Sequence, residues 1–254
     1  MKFHDMDIDE ERLTSLPKNV HKKYYGNRKF YAGTSLSQDY LNRWIRQNAE
    51  NSVFLDYACG NGRIALKAAR AGAKLAIGID LSPRSIETAR RNALHQGLQR
   101  PAFFMQADAE ATGLPARCVD VIVCHGVLHH LDVARAFPEL SRILNPGGII
   151  LAMEPLCYNP FIGFYRKLTP SMRTDWERSH IPRLSDLRLA KRFFHVQDLR
   201  FWHLTSVLTP YWKAGVPYFN ALDRILTQIP IIRLWSWIFS FELIQSEERS
   251  SLSI

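Results

Sequence analysis

The sequence predicts an α/β fold in which a parallel sheet carries helices on both faces. Two observations support it: short apolar runs alternate with amphipathic helices, and capping or turn residues stand between them. The predicted strands cover residues 53–57, 75–80, 102–106, 119–124 and 148–154, and the predicted helices cover 62–71, 82–96 and 132–144. Right-handed crossovers would place the carboxyl ends of these strands along one edge, where ligands bind.

Individual residues support several of these boundaries. Ser82 can cap the helix that follows it, and Pro83 suits the first helical position. The run 145–148 contains a proline and two glycines, which end a helix and turn the chain into the next strand. Before the first strand, apolar residues at helical spacing predict a helix over residues 35–48.

The second part of the chain is less regular. Residues 157–182 are rich in proline, arginine and aromatic residues, which predicts an insertion of loops and helices. Residues 184–194 are predicted to be helical and residues 196–204 extended. Residues 208–243 are dense in aromatic and aliphatic side chains.

The composition is that of a globular protein, because 46% of its 254 residues are hydrophobic and 22% are charged. The net charge of +9 is compatible with an acidic partner or a membrane surface, and residues 161–200 carry nine Lys/Arg against four Asp/Glu. The apolar run 234–241 is shorter than the roughly 18 residues of a membrane-spanning helix. The four cysteines show no CxxC pair and no Cys/His metal spacing, which indicates a reduced cytosolic setting. We therefore expect a cytoplasmic protein without a metal site.

Acidic residues stand at the tips of three of the predicted strands. Asp56 precedes a tight turn at Gly60 and Gly62, and Asp80 lies 20 residues beyond Gly60, where a carboxylate accepts bonds from ribose hydroxyls. Asp108 could accept a bond from the exocyclic amine of an adenine. This acidic edge suits a nucleoside joined to a cationic amino acid, and it suits a pyrophosphate poorly.

Residues 53–154 resemble the class I S-adenosylmethionine-dependent methyltransferases, especially the small-molecule branch typified by enzymes of ubiquinone and menaquinone biosynthesis. The motifs that carry the resemblance are residues 55–62, 78–82, 106–110, 120–131 and 144–148. The family fold is a Rossmann-like three-layer sandwich, with a mostly parallel seven-stranded sheet and an antiparallel last strand. It implies two strands after residue 154, for which 196–204 and 235–244 are the candidates.

The resemblance also implies an organisation along the chain. Residues 1–50 would form an N-terminal helical lid and residues 51–155 the cofactor-binding core. Residues 156–254 would supply a helical and aromatic cap together with the last two strands of the same domain. The lid would bring Tyr24, Tyr25 or Tyr31 near the sulfonium, where an aromatic face suits a cation.

The implied cofactor is S-adenosylmethionine, and the product is S-adenosylhomocysteine. Asp56 would face the ammonium group of the cofactor, directly or through water. The implied cofactor-binding residues are Tyr31, Asp56, Ala58, Cys59, Gly60, Gly62, Asp80, Leu81, Asp108, Ala109, Cys124 and His125.

Methyl transfer to a hydroxyl or an acidic carbon needs a base, and three residues near the acceptor side are candidates for a catalytic role: His129, His130 and Glu154. Each also has a structural interpretation, as a helix cap, a packing residue or a loop contact. In the cap, Arg166, Arg173 and Arg178 could receive a carboxylate or phosphate of the acceptor, or could form surface ion pairs.

The expected partner is a small-molecule acceptor, either anionic or lipid-like. The aromatic segment 208–243 could contact a membrane peripherally, cover the substrate pocket or form a dimer face, so both a monomer and a homodimer are open. A nucleic-acid substrate is disfavoured, since the chain has no basic aromatic stripe. The alternative functions are an NAD(P)-dependent oxidoreductase and a non-catalytic protein that binds the cofactor and a partner.

Overall fold

A computed structural model describes residues 28–31, 33–97, 101–170 and 174–245. Seven strands form one sheet, in the order β3-β2-β1-β4-β5-β7-β6. The strands are β1 Val53–Tyr57, β2 Leu75–Asp80, β3 Ala102–Gln106, β4 Val119–His125, β5 Leu144–Pro155, β6 Phe194–Trp202 and β7 Ile238–Gln245. The helices are α1 Arg28–Tyr31, α2 Ser35–Asn48, α3 Arg63–Arg70, α4 Pro83–His95, α5 Val133–Ile143, α6 Pro160–Leu168, α7 Asp175–Ser179, α8 Leu187–Ala190 and α9 Val216–Leu226. Short 3-10 turns cover Leu128–His130, Leu184–Asp186, Ser206–Leu208, Lys213–Gly215 and Ile232–Trp235.

The expected Rossmann-like sandwich is confirmed. Strands β1 to β5 pair in parallel, and β7 pairs in antiparallel with both β5 and β6. The antiparallel last strand is therefore also confirmed. Two strands were expected after residue 154: β6 overlaps the predicted range 196–204, and β7 overlaps the predicted range 235–244. The expected helix over residues 184–194 is wrong in part: α8 ends at Ala190, and Phe194 already pairs with Gln245 of β7.

The sheet separates two apolar cores, because successive side chains of a strand point to opposite faces. In β1, Phe54 belongs to the core beneath α2, α3 and α4, whereas Leu55 and Tyr57 belong to the core beneath α5 and α8. All three side chains are fully buried. Strands β4 and β5 alternate in the same way, so helices cover both faces of the sheet.

Helix α2 begins and ends at the predicted residues, and it packs in the layer beside α3. Its Trp44 is buried and donates a hydrogen bond from Nε1 to Glu242 Oε1 of β7, at 2.7 Å. The lid role of residues 1–50 stays a prediction, and residues 1–27 lie outside the described part of the chain.

Two helices begin at residues whose side chains cap them by hydrogen bonds. The Ser82 hydroxyl accepts from the backbone N–H of Ser85, and Pro83 occupies the first position of α4. Asp132 caps α5 by accepting from the N–H of Ala134 at 2.9 Å. Among the described residues, no helix is long and apolar enough to cross a membrane.

The substitution Gly62→Ala should destabilise the fold by about 2–4 kcal/mol. The φ angle of Gly62 is +78°, which strains any other residue, and an added Cβ would lie 2.6 Å from the ring of Phe104. Gly113→Ala is the matched control, since its φ is +71° and nothing lies within 4 Å of an added Cβ. It should lose only about 1 kcal/mol in urea denaturation. Equal losses for the two variants would rule out the contact with Phe104 as the cause.

Candidate active site

The turn between β1 and α3 is fastened to the end of β2. The backbone N–H of Gly60 donates to Asp80 Oδ2 at 2.9 Å, and the N–H of Ser82 donates to Asp80 Oδ1 at the same distance. The N–H of Cys59 donates to the carbonyl of Ile79 at 2.7 Å. The carboxylate of Asp80 thus holds two loops together at the sheet edge, and it retains lone pairs for further donors.

Asp56 lies below this turn and is almost completely buried. Its Oδ2 accepts from the backbone N–H of Ala65 in the first turn of α3, at 3.0 Å. Burial raises the pKa of the Asp56 carboxyl to about 7, and the charge of Asp80 acts in the same direction. Asp56 therefore supports the start of α3, and its expected approach to an ammonium group stays a prediction.

The next strand tips carry the residues expected near an adenine. Asp108 is exposed, and its Oδ1 accepts from the N–H of Glu110 at 2.8 Å. Leu81 is also exposed. Ala109 is buried, and its carbonyl accepts from the hydroxyl of Tyr57. The structure thus gathers Gly60, Asp80, Leu81 and Asp108 at one edge.

The two cysteines of the expected site are enclosed. Cys59 is buried in the turn, and an added Cβ at Gly78 would lie 2.9 Å from its Sγ. Cys124 has no exposed surface. Burial raises the pKa of both thiols, so neither is a thiolate at neutral pH. The side chains of these cysteines pack inside the protein, and contact with a ligand through their backbone stays a prediction.

A histidine and a buried carboxylate form a close pair beyond the end of β4. Glu154 of β5 is 1% exposed, and its Oε1 accepts from the N–H groups of Val127 and Leu128 at 2.8 Å each. Its Oε2 lies 2.7 Å from Nδ1 of His129. With Nδ1 donating to Glu154, the Nε2 atom of His129 is the proton acceptor of the ring.

His130 connects this turn to the cap. Its Nδ1 lies 2.9 Å from Oε1 of Glu177 in α7, and its ring centroid is 3.9 Å from that of His129. Burial raises the pKa of Glu177, but hydrogen bonds from His130 and from the N–H of Thr174 outweigh it and hold the pKa at about 2. Glu177 is not among the site residues that the sequence predicts. The pattern Thr174-x-x-Glu177 is a capping box, which signals the start of α7 but not the contact with His130.

His125 is the last residue of β4 and lies at the carboxyl edge of the sheet. Its Nε2 lies 3.4 Å from Nε2 of Gln38 in α2. Burial lowers the pKa of His125 to about 4, and the nearby Arg63 acts in the same direction. His125 is therefore neutral at physiological pH.

A cavity of about 550 Å³ joins these histidines to the cap. His125, His129, His130 and Glu154 line its polar end, and the rest of its wall is mainly aromatic and aliphatic. The main aromatic residues of the wall are Phe30, Tyr31, Phe161, Tyr165, Tyr211 and Trp237.

Tyr31 stands on the wall of this cavity, with its ring centroid 5.2 Å from that of Trp237 in an edge-to-face contact. Tyr24 and Tyr25 lie outside the described residues.

The three arginines considered for an anionic acceptor differ in their position relative to the cavity. Arg166 lines the cavity and donates to the carbonyl of Leu156, Arg178 pairs with Asp175, and Arg173 is outside the described residues.

Part of the chain is similar in sequence to known proteins. Residues 55–152 match the family model of a methyltransferase domain. The ribosomal protein L11 methyltransferase of Pseudomonas aeruginosa is 32% identical over 122 residues, which cover 48% of this chain and 40% of that protein. Residues 55–152 therefore form a methyltransferase domain.

Two solved structures have the same fold as the methyltransferase domain and its flanking elements. The YcgJ protein of Bacillus subtilis aligns with a TM-score of 0.57 and 21% identity, over 83% of this chain and 99% of that one. An S-adenosylmethionine-dependent methyltransferase of Mesorhizobium loti aligns with a TM-score of 0.56 and 20% identity, over 78% and 93%. The ubiquinone and menaquinone branch is not singled out, and that finer assignment stays a prediction.

S-adenosylmethionine is the cofactor of this methyltransferase domain, and the residues at the sheet edge fit it. Asp80 and Asp108 offer carboxylate oxygens of the kind that bind ribose hydroxyls and an amine. Among the described residues, no lysine or arginine forms an ion pair with either of them. A diphosphate at this edge would therefore meet two carboxylates that form no ion pair with any described lysine or arginine. No group of His, Cys, Asp or Glu in the described part could hold a metal ion.

The substitution Asp80→Ala should weaken S-adenosylmethionine binding at least about 100-fold, because two charge-assisted bonds to ribose hydroxyls contribute roughly 1.5–3 kcal/mol each. Calorimetry would measure the affinity, and the melting temperature would report on the fold. Glu87→Ala, at an exposed position of α4, is the control and should bind normally. An unchanged affinity for Asp80→Ala would place the ribose elsewhere.

Cofactor binding should release a proton through Asp56. In the free protein the pKa of this carboxyl is raised to about 7, so the group is partly protonated near neutrality. A nearby ammonium favours the ionised form, and the affinity should therefore fall as the pH drops from about 8 to about 6. Calorimetry near pH 7 in buffers of different ionisation heat would count the protons. Asp56→Asn should abolish the release, and a wild-type protein that releases none would contradict the contact.

Proposed function

We propose that the protein transfers the methyl group of S-adenosylmethionine to the oxygen of a small hydroxylated acceptor with a largely apolar body, and that His129 is the base. The observation that carries this proposal is the 2.7 Å contact between His129 and the buried Glu154 at the polar end of the cavity. The matched relatives support methyl transfer in general, although the chain covers only about two fifths of the length of the L11 methyltransferase.

The chemistry divides between the cofactor and the protein. When bound, S-adenosylmethionine supplies a methyl group that its sulfonium makes ready for in-line displacement. The acceptor hydroxyl must lose its proton as the new bond forms, and His129 can take that proton at Nε2. Glu154 holds the ring in the required tautomer and stabilises the positive charge that the ring then gains, as in other histidine–carboxylate pairs.

The wall of the cavity supports an acceptor with an apolar body. Phe30 and Tyr165 meet edge to face, with centroids 5.4 Å apart, and Tyr31 contacts Trp237 in the same manner. Such a wall excludes water and orients a flat or aliphatic acceptor above the histidines. The contact of His130 with Glu177 holds α7 over the same end of the cavity.

The first test is the formation of S-adenosylhomocysteine from S-adenosylmethionine with a panel of phenols, catechols and their alkylated derivatives. We expect turnover that rises with the apolar size of the acceptor until the cavity is full. Tight cofactor binding without product from any acceptor would favour the non-catalytic alternative. Binding of NADH in place of S-adenosylmethionine would favour the oxidoreductase.

The substitution His129→Asn should lower kcat about 100- to 1000-fold and leave cofactor affinity within about twofold, since a general base contributes roughly 10²–10⁴ to the rate. Glu154→Gln should also lower kcat, because the single amide oxygen cannot accept both from the N–H groups of Val127 and Leu128 and from Nδ1 of His129, and a neutral amide does not stabilise the charged ring. His130→Asn is the matched control: it breaks the contact with α7 and should raise the acceptor KM more than it lowers kcat. Equal kcat losses at His129 and His130 would contradict the assignment of the base.

A further inference from the structure

Two helices of the cap present apolar side chains outward. On α6, Phe161, Phe164 and Leu168 follow at helical spacing, and each is at least 65% exposed. A single exposed apolar residue is ordinary in proteins, but a whole exposed stripe on a helix is not.

Helix α9 repeats this arrangement. Its inner side buries Phe219 and Asp223, whereas Tyr218, Leu222 and Ile225 are between 47% and 66% exposed. Their spacing of four and three residues places them along one outward stripe.

The first stripe borders the cavity, and the second is joined to the cavity wall through an aromatic contact. Phe161 of α6 lines the cavity together with Tyr211, and both are more than 70% exposed. The next residue, Trp212, stacks on Tyr218 of α9 with ring centroids 5.9 Å apart and an interplanar angle of 9°. We call the outward side chains of α6, of α9 and of residues 211–213 the cap surface.

The charge of the cap surface has one sign. Helices α6 and α9 and residues 211–213 carry four basic residues: Arg166, Lys167, Lys213 and Arg224. Their one carboxylate, Asp223, is buried and accepts hydrogen bonds from Thr205 and Ser206. Exposed aromatic and aliphatic groups beside basic residues, without exposed carboxylates, match the interface of an anionic bilayer.

We propose that the cap surface binds the surface of an anionic phospholipid bilayer. The apolar stripes would enter the headgroup region, and Lys167 and Lys213 would contact lipid phosphates. A second copy of the chain is the less favourable occupant, because a two-fold interface through this surface would bring two sets of positive charge together. If the proposed function holds, the cavity mouth would open towards the bilayer and the acceptor would enter from the lipid phase.

Co-sedimentation of the full chain with lipid vesicles tests the proposal. We expect binding to phosphatidylcholine vesicles that contain about one third phosphatidylglycerol, and at least about tenfold weaker binding to phosphatidylcholine alone or at high salt. The pairs Phe161→Ser with Phe164→Ser and Lys167→Glu with Lys213→Glu should each weaken binding at least about tenfold.

Matched controls lie away from the cap. Leu94→Ser with Phe103→Ser removes two exposed apolar side chains near α4 and β3, and Lys74→Glu with Arg91→Glu reverses two exposed charges. These variants should bind vesicles like the wild type. Equal loss in the controls, or a wild-type protein that ignores anionic vesicles, would overturn the proposal. Dimerisation that the cap substitutions abolish, without vesicle binding, would assign the surface to a second copy.

The vesicle test needs neither acceptor nor methyl transfer. Turnover of a water-soluble acceptor without vesicle binding would remove only the bilayer proposal. Vesicle binding without any S-adenosylhomocysteine would remove only the proposed function.

Discussion

The acceptor side of this protein depends on one buried carboxylate. Glu154 is removed from water, and a buried charge is strongly unfavourable unless hydrogen bonds compensate it. The N–H groups of Val127 and Leu128 and the ring of His129 supply those bonds. Because all three belong to the turn after β4, satisfying Glu154 also determines the course of that turn. The position of His130, and through Glu177 that of α7, follows from it.

The cofactor side is built by a different principle. There the carboxylate of Asp80 holds the turn at Gly60 to the start of α4 by accepting from two backbone N–H groups. Gly62 is required because a side chain would meet Phe104 and strain the left-handed backbone. This edge is polar and acidic, whereas the acceptor cavity is mainly apolar. The two halves meet at His125 and Gly126, which line the cavity at the end of β4.

The excess of positive charge is distributed unevenly in the structure. Arg178 and Arg200 in the basic segment pair with Asp175 and Asp198 of the same segment, so the charges of these two arginines are neutralised locally. On the cap surface, Lys167 and Lys213 lie beside exposed apolar and aromatic residues, and the one carboxylate of α6, α9 and residues 211–213 is buried. The local environment of each basic residue is therefore a better guide to the partner of this protein than its net charge.

The sequence by itself determined the strands, most of the helices, and the acidic edge at Asp80 and Asp108. Strand and helix periodicity, caps and glycine turns are local properties, and parallel strands bring their carboxyl ends together without further information. Tertiary structure decided the rest. Only the fold pairs His129 with Glu154 and His130 with Glu177, and only pairing with β7 turns Phe194 from a predicted helix end into a strand residue. These contacts join residues far apart in the chain, and no local pattern records which distant partner a polar side chain will meet when both are buried.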